Sequence, residues 1–235
     1  MSKENEAVIL SAARTPIGKF QGSLASLPAT QLGAIAVKAA VERAGINPEE
    51  IEEVIMGNVV QAGEGQAPAR QSSIHAGVPA TVGATTVNKV CGSSLKSAMM
   101  AAQAIRAGDA DLFVAGGFES MSRAPYLVAG RSGELKFGNQ ALTDALLNDG
   151  LWDPFENWGM GMAAEFIADE YEVTREAMDQ FALRSHEKAL AAQEAGKFNA
   201  EIVPVQIAGR KGAVTVPVRL PDRRETECRG TTPVS

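Results

Sequence analysis

Apolar, β-branched runs alternate with helical stretches through the first half of the chain, and most of the helical stretches end at a glycine. Val8 to Ala12 reads as a strand running into the loop Arg14-Thr15-Pro16. Thr30 to Ala44 puts Leu32, Ile35, Ala36 and Ala39 on one helical face, with Gly45 as the stop. Asn47-Pro48-Glu49-Glu50 joins a capping side chain, a proline at the first position and a glutamate three residues after the cap. Val54 to Val60 is strand-like, and Ala67 to Ala76 is helical up to Gly77 and Pro79. Val82 to Val90 is strand-like, Ser93 to Ala107 is helical up to Gly108, and Asp111 to Ala115 is a further strand. Parallel neighbours need a crossover between them, so this order predicts an α/β fold: a mainly parallel sheet with helices on both faces.

The pattern changes after Met121. Residues 122–158 carry few regular signals and hold both tryptophans, Trp152 and Trp158. Helical stretches follow from Met160 to Tyr171 and from Arg175 to Ala195, then strand-like runs at Ile202 to Ile207 and Val214 to Val218. The expected division is an α/β core over 1–121, an inserted irregular lobe over 122–220, and a polar tail over 221–235.

Composition narrows the function classes. A formal charge of −6 disfavours nucleic acid and anionic membrane as partners. No run has the length and apolarity of a signal peptide or a membrane span. With 2 cysteines there is no disulfide framework, which makes a reducing cytoplasm the expected location. With His75 and His186 alone, no metal site is expected.

The stretch Asn88-Lys89-Val90-Cys91-Gly92-Ser93-Ser94-Leu95 turns from strand to helix with no linker. Cys91 therefore falls at a helix N-terminus, where backbone N–H groups and the helix dipole favour a thiolate and an oxyanion beside it. Small neighbours leave the sulfur approachable. A lone cysteine is more often a small buried apolar residue, so spacing leaves both readings open.

Several longer motifs bear on that choice. Ser11-Ala12-Ala13-Arg14-Thr15-Pro16-Ile17-Gly18, Gly57-Asn58-Val59-Val60-Gln61-Ala62-Gly63, Asn88-Lys89-Val90-Cys91-Gly92-Ser93-Ser94 and Ala115-Gly116-Gly117-Phe118-Glu119-Ser120-Met121 resemble thiolases, in the order that family shows them. Met160-Gly161, Ala164-Glu165 and Glu201-Ile202-Val203-Pro204 resemble its loop domain. The resemblance runs from about residue 6 to 218. It implies a thiolase-like layered fold with an inserted loop domain. It also implies fatty acid metabolism through an acyl-thioester on Cys91, with acyl-CoA and acetyl-CoA condensing to 3-ketoacyl-CoA, or the thiolytic reverse. Coenzyme A thioesters would be substrates, with no cofactor bound permanently, and the full-length relatives are homodimers or tetramers. Met160 matches a position lining the acyl pocket. Short-chain thiolases commonly carry a histidine just before it, and this chain has Gly159.

The family's second half, with an activating histidine and a second cysteine, has no counterpart after Val218. His75 and His186 match non-catalytic positions, and Cys228 sits in the polar tail as a bystander. Lys89 and Lys96 read as a solvated face as readily as a contact for CoA phosphates. A permitted codon choice for Glu225 to Ser235, read one base later, spells a thiolase-like segment ending Leu-Arg-Pro-Phe, so a frameshift is the expected origin of the tail. The resemblance thus predicts a truncated chain that is inactive alone. The alternatives are a ketoacyl-synthase-like condensing enzyme, or a non-catalytic fragment that needs a separately encoded second half.

Overall fold

A computed structural model describes residues 6–128, 130, 137–209 and 212–216. Its centre is a parallel sheet in which β1 (Glu53–Gly57) lies between β2 (Gly83–Val87) and β3 (Phe113–Gly117). Helix α1 (Ala29–Ala44) precedes β1, α2 (Pro68–His75) joins β1 to β2, and α3 (Ser93–Ala107) joins β2 to β3.

Strand side chains alternate between faces, and β1 uses both. Val54 and Met56 join Val37 and Val41 of α1, Ala69 of α2 and Phe118 in one apolar core. Ile55 and Gly57 alternate to the other face, where Gly57 meets the start of α3. Helices therefore cover both faces, as the strand–helix order predicts. A second, smaller core joins Leu24 and Leu32 to Val205 of β8 (Val205–Gly209), which pairs antiparallel with β9 (Gly212–Val216). Helix α1 serves both cores, so its buried surface is wider than the single expected stripe: Gly33, Val37 and Val41 are buried as well as Leu32 and Ala39.

Local signals set most boundaries. Gly45 and Gly108 end α1 and α3 in the left-handed conformation, at φ 68° and 79°. The Asn47 side chain accepts from Glu49 N at 3.2 Å, and Glu50 accepts from Asn47 N at 2.9 Å. That capping box closes only one 3₁₀ turn, Pro48–Glu50, before β1 begins.

Val8 to Ala12 departs from expectation. It is not a strand, and Ile9 is 89% exposed. The segment instead lies on α1, where Ser11 Oγ donates to Ala40 O (2.6 Å) and Arg43 Nη1 to Ala12 O (3.0 Å). An apolar run becomes a strand only beside a partner, and the side-chain bonds of this run go to α1.

Beyond β3 the chain forms short ladders: β4 (Tyr126–Leu127) with β5 (Thr143–Asp144), and β6 (Trp152–Asp153) with β7 (Trp158–Gly159). Two helices follow, α4 (Met160–Glu170) and α5 (Arg175–Glu194), neither of which buries a residue. Among the described residues no helix is long and apolar enough to cross a membrane. The 221–235 tail, with Cys228 and the expected frameshift, lies outside the described residues.

Candidate active site

Two glycines bring a helix start down onto the sheet. Gly57 and Gly117 are register partners in β1 and β3. A Cβ on Gly57 would sit 2.6 Å from Ser93 Cβ, and one on Gly117 would collide with the Ser94 hydroxyl. Buried Ser97 completes the seat by donating to Gly116 O (2.8 Å), one turn further along α3. The chain leaving β2 must therefore turn into α3 within Asn88–Gly92.

That turn is tight and held by several hydrogen bonds. Ser93 Oγ accepts from Lys89 N (2.8 Å) and donates to Val90 O (2.6 Å). Asn88 Oδ1 accepts from Val90 N (2.9 Å), and Asn88 Nδ2 donates to Val59 O (3.3 Å). Val90 itself is held at φ 46°. For a β-branched residue that is a strained backbone, a kind that clusters at functional sites. Cys91 follows it as an exposed, free thiol. The N–H groups of Gly92 and Ser93 are spent inside the turn, on Lys89 O and Val90 O, both at 3.1 Å. An oxyanion beside the sulfur would have to be met by other donors than these.

A half-buried polar cluster stands behind the corner. Asn58, 1% exposed, follows β1, and Glu119 follows β3 two residues after Gly117. The Glu119 carboxylate accepts from Val59 N (2.8 Å), Val60 N (3.4 Å) and Asn58 Nδ2 (3.2 Å). Asn58 N donates in turn to Val87 O (3.1 Å), at the end of β2. Burial raises the Glu119 carboxyl above its ordinary range, and the Val59 and Val60 N–H groups pull it back. Glu64 is pushed up to about 7, by burial first and then by the charge of Glu119, with a hydrogen bond from Asn58 opposing. Asn58 Oδ1 and Glu64 Oε2 are both buried without a donor.

A cavity of about 350 Å³ opens alongside, between the Arg14–Phe20 loop and Gly117–Ser122. Arg14, on its rim, is tied to Glu201 (2.8 Å) and lies over the Phe198 ring.

Residues 7–227 match the family model for the thiolase N-terminal domain. The chain belongs to the thiolase family. It is 57% identical over 202 residues to an acetyl-CoA acetyltransferase of Cupriavidus necator, covering 86% of this chain and 51% of that protein. It is 51% identical over 204 residues to acetyl-CoA acetyltransferase 2 of Arabidopsis thaliana, covering 86% of this chain and 50% of that one. The crystal structure of Acat5 thiolase from Ascaris suum in complex with coenzyme A superposes with a TM-score of 0.82 at 46% identity, covering 85% of this chain and 52% of that chain. The chain thus spans about half the length of the curated relatives it matches.

Within this thiolase fold, the other residues singled out by sequence sit on other elements. Met160 opens α4 and is 44% exposed. Both histidines are exposed, His75 at the last position of α2 and His186 on α5. Lys89 is exposed and Lys96 half-buried. Among the described residues no group of three or more His, Cys, Asp or Glu could hold a metal ion. The Asn58–Glu64–Glu119 cluster is absent from the sequence reading. Its one signal is that Asn58 directly follows the strand ending at Gly57 and Glu119 comes two residues after the strand ending at Gly117, at the carboxyl ends of the strands where parallel α/β folds build their sites.

Proposed function

We propose that this chain carries the acyl-accepting step of a thiolase-type acyltransferase, with Cys91 as the nucleophile. The observation that supports it most is the setting of Cys91: an exposed thiol beside a strained residue, at a strand-to-helix corner, in a chain of the thiolase family. The Cys91 thiolate attacks the carbonyl carbon of an acyl-CoA. The carbon–sulfur bond to coenzyme A breaks, and the coenzyme A thiolate leaves and takes up a proton. In the full reaction, acetyl-CoA loses a proton from its methyl carbon and the carbanion attacks the acyl-Cys91 thioester. The products are 3-ketoacyl-CoA and the freed Cys91 thiolate, and thiolysis is the reverse.

Coenzyme A thioesters enter this reading as substrates, on the strength of the relatives' names and the coenzyme A bound to the Ascaris suum protein. Residues 122–220 are the lobe on which CoA would lie, and Met160 would line the acyl pocket. The expected oligomer is a homodimer or tetramer, the setting the cytoplasm, and the wider role fatty acid metabolism. The family's activating histidine and second cysteine have no counterpart in these residues. Within these residues alone, the loss of a positioned acid or base would slow each step by about 10²–10⁴. Acetyl transfer from acetyl-CoA to Cys91, followed by intact mass, tests the proposal.

A further inference from the structure

We infer that Asn88 and Glu119 are positioning residues for Cys91, acting in series through the Val59–Val60 peptide. This inference rests on the reading of Cys91 as the nucleophile. The Val59–Val60 peptide is gripped from both ends. Its N–H, on Val60, donates to Glu119 Oε1 (3.4 Å), and its carbonyl, on Val59, accepts from Asn88 Nδ2 (3.3 Å). The neighbouring Val59 N–H donates to Glu119 Oε2 at 2.8 Å, so the carboxylate holds two consecutive amides at once. Asn58 fixes the carboxylate in turn, through Nδ2 at 3.2 Å.

On the far side of the peptide, Asn88 does two things with one side chain. Its amide nitrogen reads the Val59 carbonyl, and its oxygen takes the Val90 N–H at 2.9 Å. Val90 is the residue at φ 46°, a backbone a valine leaves unless its surroundings hold it. Ser93 Oγ is the second clamp, on Val90 O. Without Asn88, Val90 retains the carbonyl clamp and loses the one on its N–H. Its backbone is then free to relax toward negative φ, and Cys91, the next residue, swings with it.

No hydrogen bond joins Glu119 to Val90; the side-chain route between them runs through the Val59–Val60 peptide and Asn88, which makes the two residues non-additive. A double-mutant cycle reads this. The measured quantity is the rate of Cys91 alkylation by iodoacetamide across pH, on the full chain, for wild type, Asn88→Ala, Glu119→Gln and the double variant. Circular dichroism checks the fold, and Asn88 lies on an exposed turn where alanine leaves both cores intact.

Alkylation reads how ionised and how accessible the Cys91 sulfur is, and a relaxed turn is expected to slow it by about tenfold. The expected result is that rate loss in Asn88→Ala with a moved pH midpoint, a smaller change of the same sign in Glu119→Gln, and a double variant no slower than Asn88→Ala. Wild-type alkylation by folded Asn88→Ala, or two effects that multiply, overturns the inference. Iodoacetamide needs no CoA recognition, which separates the two claims. If the variants behave as expected but the wild type takes no acetyl group from acetyl-CoA, the inference stands and the proposed function fails. If the wild type acetylates and Asn88→Ala alkylates unchanged, the reverse holds.

Discussion

Gly57 faces Gly117 across the β1–β3 pair, and the first turn of α3 rests on both. The absence of two side chains lets the helix start low enough for the Asn88–Gly92 turn to close. Gly57→Ala puts a methyl group 2.6 Å from Ser93 Cβ and 2.7 Å from Ser94 N, where backbone must move. Overpacking of this kind costs about 1–3 kcal/mol. The expected outcome in urea unfolding is a loss in that range, together with slower alkylation of Cys91. An unchanged midpoint would mean that α3 is free to ride higher on the sheet.

Glu64 gives the fold a pH dependence of known sign. Its carboxyl, ordinarily at 4.5, titrates at about 7 in the folded chain because it is partly buried beside Glu119. Between those values the unfolded chain releases the proton and the folded chain keeps it. The stability Glu64 contributes is therefore fully present below 4.5 and is lost as pH rises through about 7. Glu64→Gln keeps the side chain neutral and supplies an N–H donor beside the donor-less Asn58 Oδ1. Thermal melts of the two proteins should differ least near pH 4.5 and increasingly favour the variant toward pH 7.5 (about half a unit above the folded midpoint). A gap constant across that window would remove Glu64 from the titration.

Helix α5 buries no residue fully, and its ends and side-chain pairs contribute to holding it. Thr174 Oγ accepts from Ala177 N (3.2 Å), and Arg175 pairs with Asp179 (2.9 Å). Losing such a cap costs about 0.5–2 kcal/mol. Thr174→Ala should speed amide exchange across the first turn of α5 and leave exchange in β1 unchanged. Equal protection in the two proteins would show that something other than the cap holds the helix.

The readable parts of this chain were those whose signals are local. Ser93–Ala107 is bounded as expected because its start is set by a turn and its end by Gly108, both short-range features. Cys91 at the strand-to-helix corner follows from the same stretch. Val8 to Ala12 failed because a strand depends on a neighbour, and periodicity does not say which runs find one. The clamp on the corner was hidden for a related reason. Asn58 and Glu119 are 61 residues apart and meet only because β1 and β3 pair in the register Gly57 to Gly117. Once that register is known, the residues just after each strand fall side by side.

The most direct measurement is the intact mass of the full chain after mixing with acetyl-CoA, run beside Cys91→Ala. The acyl-enzyme step predicts a gain of about 42 Da that is absent from the variant. A folded wild-type chain whose Cys91 reacts with iodoacetamide, yet whose mass does not change with acetyl-CoA, would contradict the account.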